Sequence, residues 1–270
     1  MLTFVPTPIG NPQDITIRAI KLFEEAELIL CEDTRETKRL LRLLESRFNL
    51  KYPNIDFISF NEHNGEARLL EISDKLKDLR VLYVSDAGMP VISDPGEILV
   101  EYCQKNSIKY DVLPGANALT TAYAASGFKE GEFTFFAFLP HKGSDRRDSL
   151  VKALNSKTNV ILYESPHRLL KLLTEIVEID ESRELFLAKE LTKKFQTYYR
   201  DNSKNLLEEF KTIHIRGEWV VIIRAKNISQ KVLMYDDIIN FDIPPKIKAK
   251  LLSRLTDKSV KELYNELIEK

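Results

Sequence analysis

The chain has 270 residues, enough for one large domain or two of ordinary size. Hydrophobic residues make up 43% of the sequence, which excludes the disordered and collagen-like classes. The 40 Lys and Arg residues nearly cancel the 41 Asp and Glu residues, so a uniformly basic nucleic-acid coat is excluded and any anion-binding surface must be local. The two cysteines, Cys31 and Cys103, are too few for a disulfide framework. We therefore expect a reducing, cytoplasmic compartment, with no membrane span and no signal peptide.

Short β-type runs alternate with longer amphipathic helical patterns up to about residue 225. The first series of predicted strands covers residues 2–5, 28–30, 57–60, 81–84 and 110–113, and the second covers residues 133–138, 160–163, 185–189 and 219–223. This alternation predicts an α/β fold, with a mostly parallel sheet and helices packed on it. The turn at Pro114-Gly115 is the best boundary, which gives domains at residues 1–113 and 114–225.

Local signals mark two helix ends in the second series. Ser165 followed by Pro166 predicts an N-cap and a first helical residue, because proline lacks the N–H that a helix start leaves unpaired. Gly127 predicts the left-handed stop of a helix that starts near residue 116.

Residues 226–270 form a third region with a different composition. Pro244-Pro245 interrupts the chain, and two short helical patterns follow. Six cations and one acidic residue, Asp257, give residues 246–261 a local net charge of +5. We expect a small helical domain with a basic face that either contacts RNA or serves only as a solvated surface. The cations are Lys246, Lys248, Lys250, Arg254, Lys258 and Lys261.

The loop at residues 85–96, with the sequence SDAGMPVISDPG, directly follows a predicted buried strand. Ligands of parallel sheets bind beyond the carboxyl ends of the strands, and Gly88 permits a close approach there. Asp86 is placed to accept hydrogen bonds from a ligand amine or hydroxyl. The alternatives are a purely structural double turn and, on the weak evidence of two carboxylates, a metal site with Asp94. The chain lacks the Gly-x-Gly-x-x-Gly, P-loop and Gly-x-Ser-x-Gly signatures, and its histidines lack metal-ligand spacing.

Several polar motifs at predicted strand ends occur in a characteristic order: PTPIGNPQDIT, CEDTRETKRLL, FNEHN, VSDAGMPVISDPG, PGANA, FLPHKGSDRRDSL, YESPHRL and KELTKKF. Together they resemble the tetrapyrrole-methylase superfamily and, within it, the bacterial small-subunit rRNA methyltransferase I family. The resemblance covers about residues 2–225, and the basic tail resembles the family's small helical C-terminal domain. Met89 and Asn117 depart from the threonine and the small residue usual at these positions.

The resemblance implies two α/β domains with S-adenosylmethionine in the cleft between them. It implies 2′-O-methylation of a cytidine in the decoding region of 16S rRNA, customarily numbered 1402, within the small ribosomal subunit, by a homodimer. The alternatives are a superfamily methyltransferase acting on a tetrapyrrole or a protein side chain, and a non-catalytic ribosome-binding assembly factor. The cofactor-binding positions that carry over are Ile9, Asp86, Gly88, Met89, Ala116 and Asn117, with Tyr163 and Glu164 as a further wall.

A general base could remove the proton of the ribose hydroxyl, and the candidates are Lys193, His63 and Glu62. Lys193 would serve only if burial or nearby cations depressed its pKa. Arginine side chains match the geometry of phosphate groups. We therefore predict that cations in the motifs CEDTRETKRLL and YESPHRL, in the segment that follows FLP and in the tail contact RNA. These residues are Arg35, Arg168, Lys142, Arg146 and Arg147, with Lys246, Lys248, Lys250 and Arg254 from the tail.

Overall fold

A computed structural model describes residues 1–61, 64–226, 235–256 and 258–268. The predictions made for Glu62 and His63 lie outside the described residues. The chain divides into two compact units, residues 1–226 and residues 227–270. The described residues of the first unit carry two β-sheets.

The first sheet is formed by β1 (Leu2–Phe4), β2 (Leu28–Cys31), β3 (Asp56–Ser59), β4 (Val81–Val84) and β5 (Tyr110–Val112). These strands run in parallel in the order β3-β2-β4-β1-β5. The connecting helices are α1 (Ile17–Glu25), α2 (Thr34–Phe48), α3 (Gly65–Ile72), α4 (Lys75–Asp78) and α5 (Glu97–Lys105). The first two cover one face of the sheet and the other three cover the opposite face. Because both faces are covered, β1, β2 and β4 are buried along their whole length.

The second sheet is formed by β6 (Phe133–Ala137), β7 (Asn159–Glu164), β8 (Glu184–Lys189), β9 (Thr197–Asn202) and β10 (Trp219–Ile223), in the order β6-β7-β10-β8-β9. Within its described strands, only β6 and β7 pair in parallel. The prediction of mostly parallel pairing therefore holds for the first sheet and is wrong for the second. The reason is that β9 follows β8 after a short loop, and β10 inserts in the antiparallel sense between β7 and β8.

Helices cover both faces of the second sheet. One face packs against α7 (Gly143–Leu154), α8 (Pro166–Ile179) and α9 (Ser203–Thr212), and the other packs against α6 (Ala118–Ser126). The predicted helix ends are confirmed: Ser165 is the N-cap residue of α8, and Gly127 ends α6 with a φ of 62°. The α/β fold class is thus confirmed for both halves of the first unit.

The second unit contains α10 (Tyr235–Ile239), α11 (Pro245–Leu252) and α12 (Val260–Ile268). Ile238, Ala249, Leu252 and Leu263 form its small core. The predicted helical region is confirmed, and α10 is an element that the sequence did not predict. Among the tail cations, Lys248 donates to a backbone carbonyl at 2.7 Å, whereas Lys246, Lys250 and Arg254 are exposed. No helix in the described ranges is both long and apolar enough to cross a lipid bilayer.

A cluster of charges follows the C-terminal end of α8. Asp180 accepts hydrogen bonds from Arg183 and Lys226, each at 3.0 Å. The Arg183 guanidinium also donates to the carbonyl of Leu154 and to that of Arg224. Burial alone would raise the pKa of Asp180, but hydrogen bonds from Lys226, Ser182 and Arg183 outweigh burial and lower this pKa from 3.8 to about 2. The cluster therefore ties α8 to the end of the second sheet through a carboxylate that the fold keeps ionised.

We predict that Asp180→Asn lowers the free energy of unfolding at pH 7 by about 2 kcal/mol. A carboxyl whose pKa is depressed in the folded state stabilises the protein fully above its unfolded pKa and loses that contribution as the pH falls through the folded pKa. The variant should thus differ from the wild type above about pH 4 and converge with it towards about pH 2. Urea unfolding at several pH values measures this. Glu181→Gln, which removes an exposed neighbouring carboxylate, is the control; an identical loss in both variants would contradict the assignment.

Candidate functional site

The loops that follow β1 and β4 meet at the carboxyl edge of the first sheet. Thr7 and Gly88 exchange two backbone hydrogen bonds, each 3.0 Å long. Gly88 has a φ of +85°, and a Cβ atom built there would lie 3.0 Å from Cγ2 of Ile9. Only glycine adopts this conformation without strain, so Gly88 allows the two loops to approach closely.

The 85–96 loop is organised by the carboxylate of Asp94. It accepts hydrogen bonds from the backbone of Val91 at 2.7 Å, from the backbone of Gly96 at 2.9 Å and from the hydroxyl of Tyr83 at 2.8 Å. Val91 and Ser93 have φ values of 72° and 75°. This conformation is strained for a β-branched residue such as Val91. Because the Asp94 oxygens are engaged in holding this strained backbone, the loop is a fixed wall.

A cavity of about 360 Å³ lies between this loop and the second sheet. Its walls are mostly apolar and aromatic, with a few polar groups. Within the described chain, no group of three His, Cys, Asp or Glu residues is arranged to hold a metal ion. The residues that line the cavity are Ile9, Ala87, Gly88, Met89, Ile92, Asn117, Ala118, Phe138, Tyr163, Glu164, Ser165, Pro166, Ala188, Leu191, Gly217, Glu218, Trp219 and Val220.

Most positions proposed for cofactor binding meet at this cavity. The lining includes Ile9, Gly88, Met89, Asn117, Tyr163 and Glu164. Asn117 has a second function, because its side chain accepts a hydrogen bond from the Thr120 N–H at 3.2 Å and so caps α6.

Two proposed positions lie beside the cavity. Asp86 is exposed and accepts a hydrogen bond from the backbone N–H of Asp33 at 3.1 Å, so it joins β4 to the start of α2. Partial burial and the charges of Asp33 and Glu36 raise the pKa of Asp86. Ala116 is partly buried and packs against the apolar cluster that contains Ile9 and Leu119. Cofactor binding by Asp86 and Ala116 stays a prediction.

Sequence reasoning missed several lining residues. Phe138 follows β6 and Trp219 begins β10, and both were placed on predicted strands without a functional role. Phe138 is 54% exposed although it lines the cavity, a placement that is visible only in the fold. The lining residue Glu218 immediately precedes β10 and belongs to none of the motifs named in the sequence analysis.

The carboxylate of Glu164, a residue of the cavity lining, is buried between two arginines. Its Oε1 atom lies 3.2 Å from Nε of Arg168 and accepts the N–H of Ser165 at 2.9 Å, and its Oε2 atom lies 3.6 Å from Nη2 of Arg146. The Arg146 side chain is only 2% exposed and also pairs with Glu175 at 2.8 Å. This network of alternating charges fixes the end of β7 and the start of α8, which both line the cavity.

The same network engages two arginines that were predicted to contact RNA. Arg146 is buried, donates to the carbonyl of Pro140 at 3.1 Å and has no exposed guanidinium to offer a phosphate. Arg168 donates to the carbonyl of Leu139 at 2.6 Å and pairs with Glu164, so its guanidinium also serves the fold. The predicted phosphate contact of Arg146 is therefore wrong, whereas that of Arg168, whose side chain is 17% exposed, stays a prediction.

The remaining predicted RNA contacts in the first unit have exposed side chains. Lys142 and Arg147 lie at the start of α7, and Arg35 lies in the first turn of α2. Arg35 pairs with the N-cap residue Asp33 at 2.6 Å while its side chain stays 87% exposed. These three positions remain available to a phosphate.

Lys193 lies between two carboxylates. Its Nζ atom is 3.0 Å from Glu190 and 2.9 Å from Glu218. Burial alone would lower the pKa of Lys193, but hydrogen bonds to Glu218 and Glu190 outweigh burial and raise it. Lys193 is therefore protonated at neutral pH, and the depressed pKa on which its predicted role as a general base depended is absent.

We predict that Arg146→Ala destabilises the protein by about 3–5 kcal/mol, because it removes one of the two cations beside the buried Glu164 and the nearer cation of the partly buried Glu175. Arg147→Gln, which changes the exposed neighbouring cation, should alter stability by less than about 0.5 kcal/mol. Urea unfolding of both variants measures the difference. Equal, small effects would show that the Arg146 side chain can leave the network without cost.

Comparison with known proteins identifies the family of this chain. The family model for tetrapyrrole (corrin/porphyrin) methylases matches residues 1–207. Ribosomal RNA small subunit methyltransferase I of Helicobacter pylori strain J99 is 45% identical, with 98% of this chain and 96% of the relative covered. The protein of the same name from Campylobacter fetus is 46% identical, with 99% and 100% covered.

Solved structures show the same fold at low sequence identity. A cobalt precorrin-4 methyltransferase matches with a TM-score of 0.60 at 16% identity, covering 83% of this chain and 94% of that one. Uroporphyrin-III C-methyltransferase from Thermus thermophilus, complexed with S-adenosyl homocysteine, matches with a TM-score of 0.56 at 14% identity, covering 82% and 96%. The family match and the near-complete coverage of close relatives together show that this chain belongs to the tetrapyrrole methylases and, within them, to the ribosomal RNA small subunit methyltransferase I family.

Proposed function

We propose that this protein uses S-adenosylmethionine to methylate the ribose 2′-hydroxyl of a cytidine in the decoding region of 16S rRNA, within the small ribosomal subunit. The observation that carries the proposal is the near-complete alignment with relatives named ribosomal RNA small subunit methyltransferase I. A cytoplasmic location is part of it, and the free, buried thiols of Cys31 and Cys103 are consistent with a reducing compartment. A homodimer remains a prediction of the family resemblance.

The cavity fits the proposed cofactor in size and character. Its volume of about 360 Å³ falls within the range of small-molecule sites. Ile9, Met89 and Val220 offer apolar surface to a nucleoside, and Asn117 offers a polar group at the wall. The carboxylates at the lining are already paired, Glu164 with two arginines and Glu218 with Lys193, so the cavity offers the ligand shape and apolar surface more than free charge. The S-adenosyl homocysteine named for the Thermus relative supports the same class of ligand.

The bound cofactor supplies an already activated methyl group, so the protein's contribution is mainly positioning. The strained 85–96 loop and the Glu164 network fix opposite walls of the cavity, as described above. Lys193 is held as a cation beside the lining residue Glu218 and is not the base in this proposal. Glu62 and His63 remain the predicted candidates for accepting the proton of the 2′-hydroxyl.

We predict that Ala118→Phe weakens S-adenosylmethionine binding by about 100-fold, since a ring at this position would occupy the cavity that Ala118 lines. Ala118 is the first residue of α6 and is only partly buried, so thermal stability should change little. Titration calorimetry and thermal melting measure the two effects. Ala118→Ser is the control and should bind the cofactor normally; unchanged affinity in the Phe variant would place the cofactor elsewhere.

We predict that assembled small subunits are better methyl acceptors than protein-free 16S rRNA, and that a short decoding-region hairpin is the poorest. Exposed cations lie on both compact units, at Lys142 and Arg147 in the first and at Lys246, Lys250 and Arg254 in the second. A large folded RNA can contact both sets and use that remote binding energy to position one hydroxyl.

Tritiated-methyl transfer to the three acceptors under identical conditions tests this order. A hairpin methylated as efficiently as the subunit would show that recognition is local to the cavity. Absence of transfer to any RNA, with intact binding of S-adenosylmethionine, would instead favour a tetrapyrrole or protein substrate. Failure to bind the cofactor would favour a non-catalytic assembly factor.

A further inference from the structure

The exposed face of α2 carries a row of cations that the site described above does not use. Arg35, Lys38, Arg39 and Arg42 are all exposed, whereas Thr37, Leu41 and Leu44 of the same helix are buried. At about 100° and 1.5 Å per residue, the four cations fall within an arc of about 100° and a length of about 10 Å. We call these four residues the α2 stripe.

The charges of the α2 stripe are only partly neutralised. Arg35 pairs with Asp33, and Arg39 lies 3.6 Å from Glu36, but the Arg39 side chain remains 79% exposed. Lys38 lies 4.9 Å from the centre of the Phe57 ring, and neither Lys38 nor Arg42 has a carboxylate partner among the described residues. Glu36 and Glu45 flank the stripe on its two sides and do not interrupt it.

The surface beside the stripe is concave. A cavity of about 210 Å³ is lined by Lys38, Arg42, Glu45, Tyr52 and Phe57, together with Leu41, Pro53, Asn54 and Ile55. Cations next to aromatic side chains in a groove are the combination with which proteins follow a nucleic-acid backbone without reading its bases.

The stripe begins at the rim of the cofactor cavity. Asp33, the N-cap residue of α2, donates its backbone N–H to Asp86 at 3.1 Å, and the residues that follow Asp86 line that cavity. Arg35 therefore lies near the rim, and Lys38, Arg39 and Arg42 lead away from it along the helix. A chain of phosphates leaving the cavity in this direction would meet one cation after another.

We propose that the α2 stripe binds the RNA backbone flanking the nucleotide that enters the cavity. The inference rests on the proposed function for the identity of the polymer. It assigns the phosphate track to α2, where Lys38, Arg39 and Arg42 take the place of the buried Arg146 as contacts in the first unit. Four exposed cations with few partners are complementary to a polyanion, and because they lie on one rigid helix they meet it with fixed spacing.

The test compares the triple variant Lys38→Gln, Arg39→Gln, Arg42→Gln with a matched triple variant, Lys105→Gln, Lys204→Gln, Lys211→Gln. The control removes the same charge from exposed positions on α5 and α9. Binding to protein-free 16S rRNA is measured as a function of salt concentration. We expect the stripe variant to bind about ten-fold more weakly and the slope of log Kd against log salt to fall by about 2, with the control unchanged.

Two further measurements separate the possible causes. S-adenosylmethionine binding and thermal stability should be the same in both triple variants, because the exposed stripe lies outside the cofactor cavity. The charge-preserving variant Lys38→Arg, Arg39→Lys, Arg42→Lys should retain the salt slope of the wild type, because its number of positive charges is unchanged. A role of these side chains in folding would not by itself require that the slope be retained.

Equal RNA affinity and equal salt slope in the stripe and control variants would overturn the inference. A loss seen only with assembled subunits, and not with protein-free rRNA, would also overturn it, because the partner would then be an acidic ribosomal protein. Methyl transfer by the wild type to small subunits tests the proposed function separately. If that transfer is absent, the proposed function fails, while the binding comparison still decides the stripe.

Discussion

The candidate site depends on one short segment, residues 7–11, which is held by both halves of the first unit. Thr7 pairs with Gly88 of the 85–96 loop, and the backbone N–H of Asn11 donates to the hydroxyl of Thr192 at 3.0 Å. Between them, a Cβ atom at Gly10 would lie 2.4 Å from Cγ of Lys193, so only glycine fits. Ile9 is thereby placed in the apolar cluster on the second sheet while its chain continues the first sheet. This segment joins the two sheets at the edges that face the cavity, and the cavity therefore depends on it.

Buried charge in this protein serves geometry at some cost in stability. Desolvation of a carboxylate such as Glu164 is expensive, and a hydrophobic replacement of comparable shape is often at least as stable. An ion pair, however, has a preferred direction and distance, so Arg146 and Arg168 fix where β7 ends and α8 begins. The Asp94 carboxylate has the same role on the opposite wall, where it holds Val91 in a conformation that the residue would otherwise avoid. Both walls are therefore set by hydrogen bonds to carboxylates, and this suits a reaction that depends on positioning.

The sequence predicted elements with strong local signals. The central strands β2 and β4 of the first sheet are continuous apolar runs, and the Ser165-Pro166 and Gly127 signals mark real helix ends. It did not predict β9, whose sequence TYYRDN lacks apolar alternation because this edge strand is largely exposed. Nor could it show that β10 inserts in the antiparallel sense between β7 and β8, since pairing is decided by contacts distant in sequence.

The candidate site was predictable in position and less so in detail. A glycine- and proline-containing loop after a buried strand indicated where a ligand cavity would lie. The burial of Arg146 could not be foreseen, because arginine is nearly always exposed and its partners Glu164 and Glu175 are brought to it only by folding. Similarly, a lysine in a polar motif gives no indication of its pKa until its neighbours are known. For Lys193 those neighbours are two carboxylates, and they reverse the effect of burial.

The distribution of charge follows from these constraints. Inside and around the cavity, charges are paired: Glu164 with two arginines, and Lys193 with Glu190 and Glu218. Burial raises the pKa of Tyr163, so this lining side chain stays neutral at physiological pH. The lining therefore provides shape and a fixed electrostatic environment for a cationic cofactor. Cations with few carboxylate partners lie instead on solvent-exposed helices, where their attraction for a polyanion does not disturb the cavity. A nearly neutral chain can thus combine selective cofactor binding with local attraction for a highly charged substrate, because the two functions use separate surfaces.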